Sequence, residues 1–401
     1  MELKNRPRYL AQLEALRDNG LIKVVVGMRR SGKSSLLKLF AGRLKQKGVP
    51  GDRIIEMNFE SSACFDIVDY RDLVSRMRER VEGKGHCYLL LDEVQLVESW
   101  EKAVNAMRVD FDVDVYLTGS NAYLLSSQLA TLLSGRYVEV GVFPLSFKEF
   151  LAFAEEQDVE KAFERYLEFG GLPPVVEQGD DRDLAQTVLS GIYNTVFVKD
   201  VAQHVQIRNP LVFNDIACFL ANTAGSRVSV TAIENRLKSA HRKTSGETIE
   251  RYLQALVDAF LFYRVRRLDV KGGGLLQGLD KYYPSDLGVK NMLLGFPRGD
   301  YGFALENAVC NELKLRGYEL RVGKTDSLEI DFVAEKAEEK LYVQVSASVL
   351  DAETRKRELA PLRGLARGGA RSLLLTYDRM GLGFEDGVEV TNVVDWLLEE
   401  Q

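Results

Sequence analysis

The stretch VVVGMRRSGKSSLL, residues 24–37, passes from three valines through two glycines and a lysine into apolar residues. The valines predict a buried strand, because β-branched residues favour an extended backbone. Leu36, Leu37, Leu39 and Phe40 recur at helical spacing and predict a helix directly after the turn. The order strand, glycine-rich turn, helix is typical of an α/β fold with a parallel sheet.

The turn has the pattern GxxxxGKS, and its chemistry suits an anion. Gly27 and Gly32 permit backbone conformations that a Cβ would obstruct, so successive N–H groups converge at the positive end of the following helix. Lys33 can reach the outer phosphates of a nucleotide, and the Ser34 hydroxyl can ligate Mg²⁺. The sequence therefore predicts a nucleotide-binding loop made of Gly27, Met28, Arg29, Arg30, Ser31, Gly32, Lys33, Ser34 and Ser35.

A second motif, HCYLLLDEVQ, is an apolar run that ends in two adjacent carboxylates. Such a run is typical of a buried parallel strand. Asp92 is then expected to hold Mg²⁺ opposite Ser34, and Glu93 to orient and activate the water that attacks the γ-phosphate. The alternative is that the two acids begin a surface helix. Together the two motifs predict hydrolysis of ATP; GTP is disfavoured because the sequence has no NKxD-like guanine motif.

Polar residues also end two other predicted strands, RIIEMNFE and DVDVYLTGSN. Asn58 is placed where it can hydrogen-bond Glu93 and hold it inactive, although a strand cap explains Asn58 equally well. Thr118, Ser120 or Asn121 is expected beside the γ-phosphate, where one of them can sense it. A plain turn is the alternative for each of these three residues.

The segment LSGRYVEV places a glycine and an arginine before a fifth strand. In oligomeric ATPases with this order of elements, an arginine at that point faces the nucleotide of the neighbouring subunit and stabilises the transferring phosphoryl group. Arg136 is therefore the candidate arginine finger, and its alternative is an ordinary surface arginine. The finger role requires an oligomer.

The composition limits the classes of function. A length of 401 residues predicts two or three domains, and the net charge of −6 gives no global reason to expect nucleic-acid binding. Four scattered cysteines and three histidines disfavour a zinc site or a disulfide framework and favour a reducing, cytoplasmic setting. The N-terminus has no uninterrupted apolar stretch, so neither a signal peptide nor a membrane span is expected.

These motifs, together with FPLSFKEFL and FGGLPPVV further along the chain, resemble the AAA+-like predicted ATPases of bacteria and archaea that carry a C-terminal domain of unknown function. The chain is also similar to related signal-transducing ATPases, in which a Gly-x-Pro motif in a helical lid touches the nucleotide. This resemblance implies that Pro173 contacts the nucleotide, with a turn between two helices as the alternative. It also implies that Arg6 and Tyr9 pack near the adenine.

The middle of the chain predicts two helices, from about Thr231 and from 246 to 259, followed by two strands with a glycine-rich tip. This order is that of a winged helix. From His204 to Lys271 the chain carries eleven Lys and Arg against six Asp and Glu, which suits DNA phosphates. Glu247 and Glu250 on the second helix oppose this, and a packing or partner role is the alternative. The candidate DNA-binding residues are Lys238, Arg242, Lys243, Arg251, Arg266, Arg267 and Lys271.

The last hundred residues place an acid on a helix, an acid on a strand and a glutamine on the next strand: Glu306, Asp331 and Gln344. This pattern resembles the restriction-endonuclease-like core, in which such residues bind Mg²⁺ and a lysine two places on stabilises the attacking hydroxide. Ser346 stands at the lysine position here. The expectation is a degenerate nuclease fold, with simple structural capping or a residual nuclease using Lys340 or Lys356 as alternatives.

The predicted architecture is a P-loop, AAA+-like α/β ATPase core with a parallel sheet, a helical lid with a winged helix, and a C-terminal α/β endonuclease-like domain. The predicted segments are 1–146, 147–204, 205–298 and 299–401. We expect an ATPase that uses ATP and Mg²⁺, binds DNA and acts as a homo-oligomer, for which a hexameric ring is one arrangement. The alternatives are a nucleotide-dependent signalling switch acting through a protein partner, and a residual nuclease.

Overall fold

The computed structural model describes residues 3–119, 133, 135–202, 205, 207–297, 301–325, 328–365 and 370–400. The chain forms two compact units. The first unit comprises Met1–Phe143 with two later pieces, Thr195–His204 and Asp258–Phe260; the remaining residues form the second unit. The boundary predicted at 204/205 falls at one of the points where the chain passes from the first unit to the second, whereas no change of unit falls at 298/299.

The first unit contains a five-stranded parallel sheet with the strand order β2-β3-β4-β1-β5, which confirms the predicted parallel α/β core. Its strands are β1 (Ile22–Val26), β2 (Ile54–Asn58), β3 (Cys87–Asp92), β4 (Val113–Thr118) and β5 (Tyr137–Gly141). Its helices are α1 (Pro7–Ala15), α2 (Lys33–Gln46), α3 (Tyr70–Val81) and α4 (Trp100–Asp110).

Strands β1 and β3 are buried along their whole length, as expected of central parallel strands covered on both faces. Leu36 and Phe40 lie on the buried face of α2, so the apolar spacing that predicted a helix also attaches that helix to the sheet. Because all five strands are parallel, the loops that follow β1, β2, β3 and β4 share one edge of the sheet. That edge carries the predicted nucleotide-binding motifs.

The second unit contains most of the remaining helices. They are α5 (Phe147–Ala154), α6 (Val159–Phe169), α7 (Pro173–Val176), α8 (Arg182–Thr195), α9 (Pro210–Asn222), α10 (Val230–Ser239), α11 (Gly246–Asp258), α12 (Leu287–Leu293), α13 (Tyr301–Leu315), α14 (Ala352–Leu359) and α15 (Val393–Leu398). A π-helical segment, Val196–Val201, follows α8 directly and belongs to the first unit. Among the described residues, no helix is long and apolar enough to cross a membrane.

A nine-stranded mixed sheet runs through the second unit, in the order β13-β14-β12-β11-β10-β9-β7-β8-β6. The antiparallel pair β7 and β8 forms the predicted hairpin after α10 and α11, but β7 also pairs in parallel with β9. The predicted wing therefore continues into the C-terminal sheet. The strands are β6 (Arg227–Val228), β7 (Phe262–Asp269), β8 (Leu275–Pro284), β9 (Glu319–Thr325), β10 (Leu328–Lys336), β11 (Glu339–Ser346), β12 (Arg371–Thr376), β13 (Gly383–Glu385) and β14 (Val388–Asn392).

Alternate residues of this sheet supply two separate cores. Leu341 and Val343 of β11 join a core that contains the buried side of α13, whereas Tyr342 between them joins a core that contains Leu359 of α14. Helices therefore cover both faces of the C-terminal half of the sheet. This arrangement is the α/β layering that the sequence predicted for the last hundred residues.

Candidate nucleotide site

The loop between β1 and α2 adopts a conformation that requires its glycines. Gly27 has a φ of 147°, and a Cβ at this position would lie 2.1 Å from the carbonyl oxygen of Val142. Gly32 has a φ of 101° and caps the N-terminus of α2. The first glycine therefore admits a neighbouring backbone, and the second turns the chain into the helix, as the motif predicted.

Lys33 lies inside this loop and is only 4% exposed. Its ammonium donates hydrogen bonds to the carbonyl oxygens of Gly27, at 2.9 Å, and Met28, at 3.0 Å. Burial lowers the pKa of Lys33 to about 8. The lysine is thus held over the loop in a position where its charge is poorly solvated, and an incoming phosphate would provide the missing countercharge.

Arg6 and Tyr9 support the loop from the N-terminal helix. The Arg6 guanidinium donates to the carbonyl oxygens of Ser31 and Phe143, both at 3.0 Å, and lies 4.4 Å from the centre of the Tyr9 ring. The Tyr9 hydroxyl accepts a hydrogen bond from the Phe143 N–H. Tyr9 is only 2% exposed, and the predicted packing of Arg6 and Tyr9 near the adenine stays a prediction.

Asp92 is the centre of the polar network beside the loop. Its carboxylate accepts hydrogen bonds from the Ser34 hydroxyl at 2.9 Å, from the Asn58 amide at 2.7 Å and from the Thr118 hydroxyl. Burial raises the pKa of Asp92, and the two hydroxyl bonds oppose this effect. Three elements of the first unit, α2, β2 and β4, thus converge on the carboxylate that ends β3, at the predicted edge of the sheet.

Glu93 follows Asp92 in a left-handed backbone conformation, with a φ of 56°. Such a conformation is uncommon outside glycine and is maintained here by local bonds, because the Glu93 N–H donates to the Thr118 hydroxyl at 3.0 Å. Glu93 is 7% exposed, and its charge acts on Lys33. The two acids end a strand as predicted and do not begin a surface α-helix.

The side chain that hydrogen-bonds Glu93 is not the one that the sequence predicted. Asn58 donates to Asp92, and its side-chain oxygen accepts from the Glu60 N–H, so the prediction that Asn58 bonds Glu93 is corrected. Gln95 instead donates from its amide to the Glu93 carboxylate at 2.5 Å. The signal for Gln95 was present in the motif DEVQ, but a residue two positions after the acid cannot be placed without knowing the turn between them.

The oxygen atoms beside the loop suit a magnesium ion. Ser34 and Asp92 supply one hydroxyl and one carboxylate, and a cavity of about 220 Å³ opens beside them. No group of three or more His, Cys, Asp or Glu side chains within the described ranges could hold a metal alone. This donor set fits Mg²⁺, which is commonly bound by one or two protein oxygens together with phosphate oxygens and water.

The buried Ser31 hydroxyl gives a second indication that the loop fits a ligand. It has no hydrogen-bond partner among the residues that the structure describes. Buried hydroxyls are normally bonded, so this one indicates a missing acceptor or donor in the loop. Of the other loop residues, Met28 is buried, Arg30 is exposed and Ser35 is partly buried.

Arg29 is bound by a residue far along the chain. Its guanidinium donates from Nε and Nη2 to the two carboxylate oxygens of Asp200, each at 3.1 Å. These bonds outweigh the effect of burial and raise the pKa of Arg29. Asp200 was not predicted as a site residue, because 171 residues separate it from Arg29 and no motif surrounds it.

Of the four other candidate site residues predicted from the end of β4 to the start of β5, the structure describes Thr118 and Arg136. Thr118 is fully buried and bonded to both acids of the DE motif, whereas Ser120 and Asn121 lie outside the described residues. Arg136 is exposed, and its carbonyl accepts a hydrogen bond from the N–H of Ile22, the first residue of β1. It therefore lies at the opposite end of β1 from the loop, about 16 Å away at 3.3 Å per residue, so a finger role requires a second subunit.

Pro173 lies in the second unit, where it begins the short helix α7. Of the two glycines before it, Gly170 packs against the Asp286 side chain and Gly171 against the Leu145 carbonyl oxygen. The Asp286 carboxylate accepts a hydrogen bond from the Gly171 N–H at 2.8 Å. Burial raises the pKa of Asp286 to about 6. Close packing explains both glycines, and the predicted contact between Pro173 and nucleotide stays a prediction.

Most of the candidate DNA-binding residues are exposed on the second unit. Arg242 is an exception, because it is half-buried and pairs with Asp215 at 3.0 Å. Arg267 is only 7% exposed, and its Nε has no hydrogen-bond partner in the described part of the chain. Arg267 is therefore removed from this set, since a guanidinium inside the sheet cannot face a phosphate backbone. The exposed residues are Lys238, Lys243, Arg251, Arg266 and Lys271.

The structure brings the three nuclease-like residues together and adds a lysine. Gln344 accepts a hydrogen bond from the Asp331 N–H, and Lys281 of β8 lies between Glu306, at 3.2 Å, and Asp331, at 3.8 Å. Lys281 also pairs with Glu329 at 3.1 Å. Burial lowers the pKa of Lys281, but the three carboxylates outweigh this effect and raise it. Burial, together with the charge of Glu306, raises the pKa of Asp331 well above its usual range.

Lys281 was missed by sequence analysis because it belongs to the predicted wing, on a different element from the acids. Of the lysines proposed from the sequence, Lys340 pairs with Glu335 at 2.8 Å. The cluster is closed, since Glu306, Asp331 and Lys281 are all buried. A built-in ammonium thus occupies the centre of the acidic group.

Comparison with known proteins supports the prediction of an ATPase domain in the first unit. A family model described as an AAA domain matches residues 19–151, and a second, a domain of unknown function (DUF8612), matches residues 160–300. The first match contains the loop, the DE motif and the end of β4. The second match spans most of the predicted lid and all of the predicted winged-helix segment.

A protein of Haemophilus influenzae described as uncharacterized is 40% identical over 403 residues, covering 98% of this chain and 98% of its own length. The chain belongs to the same protein family as this relative. An uncharacterized protein of Methanocaldococcus jannaschii is 29% identical, covering 90% of this chain and 83% of its own length. Similarity to this family thus extends over both units.

Among solved structures, the Walker-type ATPase of Pyrococcus abyssi is similar to this chain with a TM-score of 0.51 and 17% identity. The similarity covers 72% of this chain and 95% of that one. At this identity the similarity concerns the fold. Residues 19–151 thus match an AAA domain, and the fold of the chain is similar to that of a Walker-type ATPase.

Proposed function

We propose that this protein hydrolyses ATP to ADP and phosphate in its first unit. The observation that carries the proposal is the network in which Ser34 and Thr118 both bond Asp92 while Thr118 also holds the backbone of Glu93. A phosphate-binding loop alone would need only its glycines and Lys33. A buried acid network at its edge adds the groups required to act on water.

Each residue has a separate task in this proposal. The loop N–H groups and the Lys33 ammonium bind the phosphates. Ser34 and Asp92 would hold Mg²⁺, which would neutralise phosphate charge. Glu93 accepts a hydrogen bond from the attacking water and orients it toward the γ-phosphate. Gln95 fixes the Glu93 carboxylate, and the left-handed backbone at Glu93 sets its direction.

The test is phosphate release from ATP by the purified full chain with Mg²⁺, compared with the Lys33→Ala variant. We expect turnover by the parent protein and loss of ATP binding in the variant, because no other ammonium lies inside the loop among the described residues. Lys45→Ala is the matched control, since Lys45 is exposed at the far end of the same helix. A folded parent protein that neither binds ATP nor releases phosphate would overturn the proposal.

We further propose that the second unit binds DNA and that an oligomer couples the nucleotide cycle to DNA. Support comes from Lys238, Lys243, Arg251, Arg266 and Lys271, which remain exposed in a chain whose net charge is −6. Several phosphate contacts by these residues would make affinity fall linearly with the logarithm of salt concentration. The helix, helix, hairpin order also supports a winged-helix interpretation of this region.

The DNA proposal is tested by measuring turnover against single-stranded, double-stranded and branched DNA, with sizing in ATP and in ADP. Severalfold stimulation with salt-sensitive affinity supports it, together with an ATP-dependent oligomer. Slow turnover that is indifferent to every DNA, with tightly retained ADP, would instead favour a signalling switch acting through a protein partner.

We propose that the C-terminal half keeps an endonuclease-like arrangement without its chemistry. Ser346 replaces the expected lysine, and the buried Lys281 ammonium already neutralises the acids. A supercoiled plasmid incubated with the protein and Mg²⁺ or Mn²⁺ should stay intact. Nicking that is lost in Asp331→Asn would contradict this and support a residual nuclease.

A further inference from the structure

The ion pair between Arg29 and Asp200 connects the nucleotide-binding loop to a distant part of the chain. Both carboxylate oxygens of Asp200 accept bonds from the guanidinium, the bidentate geometry in which arginine binds carboxylates and phosphates most strongly. Asp200 is 5% exposed. A buried carboxylate of this kind is costly without its partner, so the pair is a strong local constraint.

The charge of Asp200 lies where a triphosphate would add more negative charge. Asp200 and Glu93 both act electrostatically on Lys33, the lysine expected to meet the phosphates. Burial raises the pKa of Asp200, and Arg29 opposes that effect. A phosphate at the loop would repel the Asp200 carboxylate and would compete with it for Arg29.

The backbone that carries Asp200 is unusual. Val196–Val201 is π-helical, and the Ala202 N–H continues this spacing by donating to the Phe197 carbonyl at 2.9 Å. Such segments are rare and often lie at functional positions. Lys199, the neighbour of Asp200, forms a second pair with Glu60 at 3.5 Å, and Glu60 lies 3.8 Å from Arg29.

The segment that carries Asp200 connects parts of the chain that belong to different units, so its ion pair with Arg29 can affect more than the loop. Thr195–His204 belongs to the first unit, whereas the residues before it, to Asn194, and after it, from Val205, belong to the second. The segment is therefore one of two places, with Asp258–Phe260, where the chain leaves the second unit and returns to the first. The bonds from Arg29 to Asp200 are one of the contacts that attach it to the nucleotide-binding loop.

We propose that nucleotide phosphate displaces Asp200 from Arg29 and releases the segment Thr195–His204, so that this ion pair transmits the nucleotide state along the chain. This inference rests on the proposed binding of ATP at the loop. Asp200 competes with the nucleotide phosphate for Arg29. The free energy of the Arg29–Asp200 interaction is therefore subtracted from the free energy of ATP binding.

The test compares ATP dissociation constants of the full chain with those of Asp200→Asn. Since coupling between linked sites is typically worth about 5- to 150-fold, we expect the variant to bind ATP about tenfold more tightly. Lys199→Gln is the matched control on the same segment, and its exposed pair should change the affinity by less than about twofold. Equal affinity of Asp200→Asn and the parent protein would overturn the proposal.

Hydrogen exchange of the parent protein provides a test that needs no variant. Amides of residues 196–202 should exchange faster with saturating ATP than without it, and in Asp200→Asn they should exchange fast in both conditions. Unchanged protection of this segment in a protein that demonstrably binds ATP contradicts the release. A parent protein that binds no ATP at all would instead contradict the proposed function.

Discussion

The Ser34 hydroxyl donates a hydrogen bond to the Asp92 carboxylate across 2.9 Å, although 58 residues separate them in the sequence. Ser34 is the second residue of α2, the helix after the loop, and Asp92 ends the strand β3, two positions across the sheet from β1. The two oxygens that we assign to Mg²⁺ are therefore already adjacent. Little rearrangement is required to place a cation between the loop and the sheet.

Replacing Ser34 with Ala should weaken the response to magnesium more than the binding of nucleotide alone. The hydroxyl donates to Asp92 and is our proposed ligand of the cation, and loss of such a group typically costs about 10- to 100-fold in metal affinity. The measurement is turnover as a function of Mg²⁺ concentration. ATP binding in the presence of a chelator serves as the control and should change little.

Glu93→Gln should bind ATP with parental affinity but hydrolyse it at least about a hundredfold more slowly, since general base catalysis typically contributes 10²–10⁴-fold. The amide keeps the shape of the side chain and its bond to Gln95 but cannot accept a proton from water. Single-turnover phosphate release and equilibrium ATP binding separate the two effects. Turnover at the parental rate would show that another group activates the water.

The affinity for ATP should be nearly constant below pH 8 and fall at higher pH. The pKa of Lys33 is about 8 in the free protein, and bound phosphate would raise it, so binding above pH 8 takes up a proton. The decline should approach about tenfold per pH unit. Calorimetry in two buffers of different ionisation enthalpy measures the proton uptake.

The matched control for this pH dependence is Lys33→Arg, because a guanidinium does not titrate between pH 8 and 10. Any residual affinity of that variant should be independent of pH in this range. If the variant and the parent protein show the same decline, a group other than Lys33 is responsible.

Replacing Arg136 with Ala should lower turnover without lowering ATP affinity, because Arg136 lies at the end of β1 opposite the nucleotide-binding loop. Loss of an arginine finger typically costs about 10³–10⁵-fold in rate. Mixing this variant with Lys33→Ala protein should partly restore turnover, since each supplies what the other lacks. Absence of complementation in a confirmed mixed oligomer would exclude action across an interface.

Lys281→Met should destabilise the second unit by about 3–5 kcal/mol, because it leaves the buried carboxylates of Glu306 and Asp331 without their cation. Lys340→Met is the control: its pair with Glu335 is partly exposed and is worth at most about 1 kcal/mol. Urea unfolding of both variants measures the difference. Adding Glu306→Gln to Lys281→Met should recover part of the loss.

Local sequence patterns correctly predicted the strands whose burial is encoded in a short run of apolar residues. The valines before Gly27 and the apolar run before Asp92 predicted β1 and β3 because a fully buried strand needs continuous apolar residues. Asp200 and Lys281 could not be found in this way. Each is a single charged residue whose partner is supplied by the tertiary fold, and no spacing rule connects it with that partner.

Helix and hairpin order in the middle of the chain was also predicted, but the continuation of the sheet was not. Whether β7 ends at an exposed edge or pairs with β9 depends on how the chain returns after α13. The prediction for Asn58 failed for a related reason: a side chain at the end of β2 can reach either acid of the DE motif, and only the backbone turn at Glu93 decides between them.

The parallel pairing of β7 with β9 has a practical consequence for dissecting this protein. A chain shortened to its first 298 residues would keep β7 but lose the strand that covers its outer side, and would uncover Val265 and Leu268. An open apolar strand edge is a template for self-association. Such a fragment should aggregate, so the basic middle region is best obtained together with everything that follows it.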